Sequence, residues 1–490
     1  MTEHLPALQV VIPLLAAPLC VLLRRPGAAW GVYAATALTS LAISLLLFAR
    51  TLDGGTLRYA LGGWPAPFGI EYVVDAVNVL PLLLVSVLAV AVAIYAPRAV
   101  ASEIERPRIY LYYACLCLYL AGLLGIGITG DAFNVFVFLE ISSLSGYALI
   151  AMGRHRRALL AAFRYLVMGT VGGTFVLIGI GLLYALTGSL NMADLAERVP
   201  PLYDNRALHA ALGFIAVGLA IKAAVFPLHA WQPDAYAESS SAASIILAGA
   251  GAKIALYAFM RYAYGIFGGE LVAEVLPLGR VLLLLGVVGM VLGSAVACFQ
   301  TDVRRMLAWS SIGQIGYIVA GIGLADPAGL RAAFLHLFNH GLIKGGLFAV
   351  VGIVLLRTGG TSLDHFAGLA RRMPGTFATL LLGGLGLIGV PLTAGFVSKW
   401  ALAQALIGAQ QWWVLVAMLA SSLLALVYVG RIIETAWFRE PPGSEAAPAA
   451  LGMSVAVWML ALLTLWIAVD SSAIAGVASH AAQTLLGGAP

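Results

Sequence analysis

Residues 216–262 read AVGLAIKAAVFPLHAWQPDAYAESSSAASIILAGAGAKIALYAFMRY. Two lysines, Lys222 and Lys253, each stand inside an otherwise apolar helical run. Between them lie Pro227, His229 and the acids Asp234 and Glu238. An unpaired ammonium at bilayer depth is expensive, so a chain that places two there uses them or balances them. Of 27 Lys+Arg, only four are lysine (Lys222, Lys253, Lys344 and Lys399), and all four lie in apolar segments. The loops and helix ends use arginine. Arginine keeps its charge under almost any condition, whereas a buried lysine can release its proton near neutral pH. Lysine inside the membrane and arginine outside it is the distribution a proton carrier needs. The competing account is a biased genome that swaps surface lysine for arginine and leaves four structural lysines behind.

Composition sets the class. Hydrophobic residues make up 62% of the 490 and charged residues 10%, against about 25% charged in soluble domains. The chain is therefore a polytopic all-α membrane protein with no hidden soluble domain. Its net charge of +5 is spread over short loops and does not point to nucleic acid. The start, MTEHLPALQVVIPLLAAPLCVLLRR, has no basic leader and no small-residue cleavage site, and reads as a retained first span. Cys20, Cys115, Cys117 and Cys298 lie in apolar segments without a CxxC pair, which argues against a cluster or zinc site.

Apolar runs of about 20 residues mark membrane helices. Fourteen are expected, near 5–23, 28–49, 72–96, 109–129, 131–151, 163–187, 208–228, 241–267, 276–299, 307–325, 329–357, 375–408, 412–437 and 451–470. Loops after odd-numbered spans hold sixteen arginines, among them Arg24, Arg98, Arg154 and Arg304, and the other side holds seven. The richer side is cytoplasmic by the positive-inside rule, which puts both termini outward. After the last span, about twenty small and polar residues form a tail with no long helix to strap neighbouring subunits.

Polar residues inside the spans define the candidate site. Glu140 lies mid-span in DAFNVFVFLEISSLSGYALIA, followed by Ser142, Ser143 and Ser145. A carboxylate there is protonated or paired, and Lys222 is the expected partner. Asp131 fits a helix N-cap better than a carrier. Pro227 should break the seventh span, and broken helices at mid-depth mark ion sites. His229 is placed to pass protons from Lys222 to the next helix, or else is an interfacial histidine bound to backbone. The eighth span opens on SSSAAS, a polar and easily hydrated start, with Lys253 about two turns further in. Asp302, Arg304 and Arg305 fit a tight cytoplasmic turn and read as structural, since loop charges are routinely solvated.

The eleventh span, AFLHLFNHGLIKGGLFAVVGIV, carries His336, His340 and Lys344 at i, i+4 and i+8. They form one stripe, about 6 Å per step, that reads as a proton relay. A metal reading of HxxxH lacks a nearby Cys, Asp or Glu to complete a shell. In the twelfth span, LGGLGLIGVPLTAGFVSKWALAQALI, Pro391 makes a break and Lys399 follows two turns later. This mirrors the seventh span. Two interrupted segments in matching positions point to an internal repeat, and five spans per repeat make the copies inverted. The expected division is 1–108 (spans one to three), 109–267 (first repeat, spans four to eight), 276–437 (second repeat, spans nine to thirteen) and 438–490 (last span and tail).

With these residues in hand, the chain resembles the antiporter-like subunits shared by Mrp-type cation/proton antiporters, respiratory complex I and membrane-bound hydrogenases. The matching stretches are TGDAFNVFVFLEISSLSGYALIAMG, KAAVFPLHAWQPDAY, AGAGAKIALYAFMRY, RRMLAWSSIGQIGY, HLFNHGLIKGGLF and GVPLTAGFVSKW. Within the family the GDAFNVFVFLE form and the length are most similar to the D subunit of Mrp antiporters. The resemblance implies fourteen helices with two inverted five-helix repeats. It also implies a proton path from Glu140 and Lys222, through Lys253, His336, His340 and Lys344, to Lys399, with His229 at the family's loop histidine. Two positions depart: Gln232 stands where many relatives have an apolar residue, and the eighth helix starts with serines where prolines are common.

The expected function is proton translocation by one subunit of a multisubunit monovalent cation (Na+)/proton antiporter in a bacterial inner membrane. Separating the Glu140–Lys222 pair would expel the proton toward Lys253 and on to Lys399. The alternative is a proton-pumping membrane subunit of a complex I-like or hydrogenase-like redox complex. The chain has no nucleotide, flavin or cluster motif, so no cofactor is expected and redox chemistry would belong to partner subunits. A solute permease fits less well, because the polar groups in the spans are titratable.

Overall fold

The computed structural model describes residues 2–52, 55–153, 155–440 and 449–487; Arg154 of the loop arginines and the last residues of the tail lie outside that set. All fourteen expected spans are present. Twelve are continuous helices long and apolar enough to cross a membrane, among the described residues. The other two are broken. The seventh comprises Arg206–Lys222 and, after a turn containing Pro227, Gln232–Glu238. The twelfth comprises Pro374–Ile388 and Ala394–Gly408, with Pro391 in the gap.

Capping chemistry moves several ends away from the hydropathy boundaries. The third span starts at Ala76, not 72, because Asp75 and Asn78 form a reciprocal capping box. The residues before it, Glu71–Val74 (β2), pair antiparallel with Leu57–Ala60 (β1), in register Leu57↔Val74 to Ala60↔Glu71. The tenth span starts at Val303, not 307, because the Asp302 carboxylate accepts from the Arg305 backbone amide at 3.0 Å. Asp131 caps the fifth span, Ala132–Ala151, in the same way, accepting from the amide of Asn134 at 2.7 Å. The tail also gains structure: Ser472–Leu485 is a short helix packed along the third and eleventh spans.

Burial sorts the spans. The third, eighth and tenth are each 94% buried over their most apolar window, whereas the thirteenth and fourteenth are 33% buried. The eighth span, which bears Lys253, therefore sits inward, and the outer helices offer apolar faces to lipid or neighbouring chains.

The inverted repeat is written into the backbone. Isolated β-bridges join Asp131 to Asn191 and Asp302 to Ser362. Each bridge ties the start of one helix to the loop beyond the next. Those next helices, Arg156–Thr187 (sixth) and Pro327–Thr358 (eleventh), are both 32 residues long. Both end on a glycine in the left-handed region, Gly188 (φ 70°) and Gly359 (φ 83°), which a Cβ would strain. One constant shift carries Asp131, Thr187, Gly188 and Asn191 onto Asp302, Thr358, Gly359 and Ser362. The shift crosses five spans, so the copies face opposite sides of the membrane.

Candidate functional site

The fifth span projects Glu140 toward the end of the broken seventh. Lys222 is the last helical residue there and donates to Glu140 Oε1 at 3.0 Å and to Ser143 Oγ at 2.6 Å. Lys222 is 3% exposed by side chain and Glu140 27%. The carboxylate fits because the sixth span has no side chain at Gly173: a Cβ there would lie 2.2 Å from Glu140 Oε1. Beside Lys222 the Ile221 carbonyl accepts from the Trp231 indole at 2.9 Å as well as from the Ala224 amide at 3.1 Å.

His229 sits in the turn but does not reach either lysine. Its half-buried ring stacks on Phe226 at 4.9 Å and meets the edge of Trp309 at 5.2 Å. Lys253 is wholly buried. The eighth span is not a regular helix: Leu247–Gly251 is a π-helical stretch, and the Lys253 ammonium reaches back to the Ala248 carbonyl there. Such stretches loosen the carbonyl ladder and recur at functional sites. Gly249 and Gly341 let the eighth and eleventh spans approach at backbone distance.

At the centre, the His336 ring bridges two helices, with Nε2 2.9 Å from Gln314 Oε1 and Nδ1 2.9 Å from Ser398 Oγ. His340 stacks parallel on it, 5.7 Å between centroids and 3° between planes. Both His340 ring nitrogens are buried without a hydrogen-bond partner among the described residues. Lys344 donates to the Leu307 carbonyl at 2.7 Å and to Ser310. Lys399 donates to the Leu387 and Ile388 carbonyls, at 2.8 and 3.0 Å, and to Ser422 Oγ at 3.1 Å. Its ammonium also lies 4.6 Å from the centre of the Tyr317 ring. Gln314 donates to the same Leu387 carbonyl at 3.4 Å. A hydrogen-bonded line thus runs His336–Gln314–Leu387–Lys399.

The structure therefore joins Glu140 to Lys222 and His336 to Lys399. It does not join Lys222 to Lys253 by a direct side-chain bond, nor does it set His229 between them. Ser143, Gln314, Tyr317, Ser398 and Ser422 carry roles that sequence reasoning misses. All but Ser422 lie in stretches quoted above, where a polar residue in an apolar run is the available signal.

Two expectations change. The serine-rich start of the eighth span is not a hydrated mouth. Ser239, Ser240, Ser241 and Ser244 are buried and bonded, with Ser241 held by Glu103 at 2.7 Å (amide) and 2.5 Å (hydroxyl), and Ser240 by Tyr112 at 2.7 Å. The Arg304–Arg305 turn makes structural contacts, but Arg304 is buried where a solvated charge is expected. Arg304 is 6% exposed and donates to the Ser239 carbonyl at 2.9 Å and to Ser241 Oγ at 2.6 Å. Arg305 pairs with Asp234 at 3.0 Å and Glu238 at 3.2 Å. These bonds clamp the tenth span onto the second half of the seventh. Burial leaves a guanidinium no solvent, so it takes every nearby oxygen.

Residues 129–425 match the family described as NADH:quinone oxidoreductase/Mrp antiporter, transmembrane region. The chain belongs to this family. It is 43% identical over 451 residues to the N subunit of the NADH-quinone oxidoreductase of Desulforudis audaxviator, covering 91% of this chain and 89% of that one. It is 30% identical over 447 residues to the D subunit of the Na(+)/H(+) antiporter of Alkalihalophilus pseudofirmus, covering 90% and 89%. A chain of the Mrp complex from Dietzia sp. DQ12-45-1b superposes with a TM-score of 0.91 at 26% identity, over 99% of this chain and 98% of that one. The antiporter-like subunit fold, with its fourteen spans and two broken helices, is thereby the fold of this chain.

Proposed function

We propose that this chain is the proton-translocating subunit of a multisubunit monovalent cation/proton antiporter, with Na+ the expected cation. The observation that carries this reading is the buried Glu140–Lys222 pair at the end of a broken helix. An ammonium in low dielectric is kept charged by its carboxylate; moving the carboxylate away removes that support and releases the proton. Lys253, His336, His340, Lys344 and Lys399 then pass it on, and His229 serves the turn over the first lysine. The working units are the repeats at 109–267 and 276–437, with 1–108 and 438–490 flanking them. The subunit sits in an inner membrane beside other membrane subunits, with both termini outward, and carries out ion transfer, not enzyme chemistry.

A second reading has its own support. The relative at 43% identity belongs by name to a quinone oxidoreductase, so the same relay would serve a redox-driven pump whose electron chemistry lies in partner subunits. One experiment separates them. Everted vesicles carrying the intact complex are energised, and a pH-sensitive dye reports the gradient. Dequenching on adding sodium, absent in Lys222→Ala, is expected for the antiporter. No response to sodium, potassium or lithium with the complex assembled selects the redox pump. An unchanged response in Lys222→Ala defeats the relay.

A further inference from the structure

Lys222 and Lys253 are the two relay lysines of the first half, yet no side chain bonds both. Gln232 lies on the segment that joins their two helices. It opens the second half of the seventh span and is 0% exposed. Neither its amide oxygen nor its nitrogen makes a hydrogen bond of ordinary geometry to any described residue. A buried amide without a well-aligned partner is rare in folded proteins, and its usual partner is an ordered water.

The surroundings give that water a direction. On one side, Trp231 bonds the carbonyl of Ile221, the residue before Lys222. On the other, the Gln232 amide lies beside the Tyr236 hydroxyl, which donates to the Leu247 carbonyl at 3.0 Å. Leu247 begins the π-helical stretch whose Ala248 carbonyl holds Lys253. An aromatic wall spans the same interval: Tyr147 edge-on to Tyr165 at 4.6 Å, Tyr165 stacked on Trp231 at 3.8 Å, and Trp231 edge-on to Tyr236 at 6.2 Å. The Tyr147 hydroxyl, one turn from Ser143, is a second buried polar atom without an ordinary bond. Ser143 itself accepts from Lys222. Buried polar atoms without well-aligned partners thus lie on the elements that flank Lys222 and Lys253, while His229 faces Phe226 and Trp309.

We propose that Gln232 is a positioning residue of the proton path: its amide holds the ordered water that connects Lys222 to Lys253. The inference rests on the relay reading above. The proton leaves the Lys222 ammonium as an N–H bond breaks and an O–H bond forms on water. A different O–H of that water breaks as the charge moves on, and the last transfer forms an N–H bond on neutral Lys253. Gln232 gains and loses no proton; its carbonyl accepts from the water and its NH2 donates to it.

The test uses vesicles of the assembled complex, with transport normalised to the amount of subunit and measured in H2O and D2O. Gln232→Leu keeps the volume and removes the free amide. It should assemble normally, slow transport roughly tenfold by forcing transfer across an unheld water, and raise the solvent isotope effect. A purely structural role would leave the isotope effect unchanged. Gln232→Glu, which keeps an acceptor, should recover part of the rate. Gln232→Met gives the same comparison should Gln232→Leu lower assembly. Wild-type rate and isotope effect in Gln232→Leu or Gln232→Met, beside an inactive Lys222→Ala, overturn this role and leave the relay standing. An active Lys222→Ala overturns the relay itself.

Discussion

The two repeats differ at the same three positions, and the differences are chemical opposites. The shift that aligns the β-bridges sets Glu140 against Ser311, Gly173 against Lys344 and Ser143 against Gln314. In the first half the fifth span supplies a carboxylate, and the sixth keeps a glycine so that the carboxylate fits. In the second half the tenth span supplies serines and the eleventh a lysine, which bonds Ser310. Both broken helices nevertheless put an ammonium at a helix C-terminus: Lys222 on its own helix, Lys399 on the last carbonyls of Pro374–Ile388. A C-terminus favours a cation. What separates the halves is the counter-charge. Lys222 has a partner of opposite sign; Lys399 has only neutral oxygens and an aromatic ring among the described residues. The same fold thus builds one site that a moving carboxylate can switch and one that only its solvation can.

The largest effect should come from removing the counter-charge. Glu140→Gln leaves the Lys222 ammonium with neutral acceptors only, the new amide oxygen and Ser143. Breaking a buried pair costs about 3–5 kcal/mol, toward the lower end here because Glu140 is 27% exposed. Dye dequenching should vanish with the subunit still assembled. Ser311→Ala, at the matching place in the second half, should leave most of the rate. Equal losses in the two would end the asymmetry.

Gly173→Ala sharpens the same point without touching a charge. The added methyl would meet the carboxylate at 2.2 Å, so Glu140 must swing off Lys222. Transport should fall roughly tenfold, the effect of about 1.4 kcal/mol on the barrier, with normal subunit levels on a membrane blot. Wild-type transport would mean that the pair tolerates displacement.

Much of this is legible in the sequence, because lipid permits few alternatives. Long apolar runs have to be helices, and prolines at 227 and 391 stand where two of them are interrupted. The four lysines and Glu140 stand out against apolar neighbours. The partner of Lys222 can be named because only one carboxylate lies mid-span nearby. Short-range chemistry is less visible. Gly173 carries no signal of what it makes room for, and the asparagine and serine that close the β-bridges look like ordinary loop residues. Arg304 reads as a surface charge until the fold buries it. Sequence proximity sets His229 between the lysines, but the turn sends its ring toward Trp309. The repeat itself is suggested by two broken helices; its register comes from backbone bridges that no side-chain pattern announces.

A third comparison concerns Lys399. Its oxygen partners are all acceptors except for the Ser422 hydroxyl, which can reverse. Lys399→Ala removes the titrating group and should stop transport. Lys399→Glu keeps one; a protonated carboxyl can donate to the Leu387 carbonyl, while an ionised one is repelled. Partial transport, stronger at acid pH where the carboxyl donates, is expected from dequenching rates across a pH series. Equal loss in both variants would show that the site needs a cation, not only a titratable group.

The smallest effect is expected at Tyr317, and it asks whether the ring or the hydroxyl matters to Lys399. The ring supplies the electrostatic face under the ammonium at 4.6 Å and packs 5.5 Å from His336. The hydroxyl bonds the Met418 carbonyl and Ser422 Oγ, each at 3.2 Å. Tyr317→Phe keeps the face and loses two long hydrogen bonds, about 1 kcal/mol or less in net terms. Transport should stay within about fivefold of wild type, as such a change implies. Tyr317→Leu removes the face in a site with no carboxylate to replace it, and should cost more, since a desolvated cation–π contact is worth up to about 2 kcal/mol. The order Phe above Leu, read from initial dequenching rates, follows only if the second half steadies its cation by fixed polarity. The reverse order would mean that the Ser422 hydroxyl, oriented by Tyr317, is the real partner of Lys399, and the two halves would then be more alike than their charges imply.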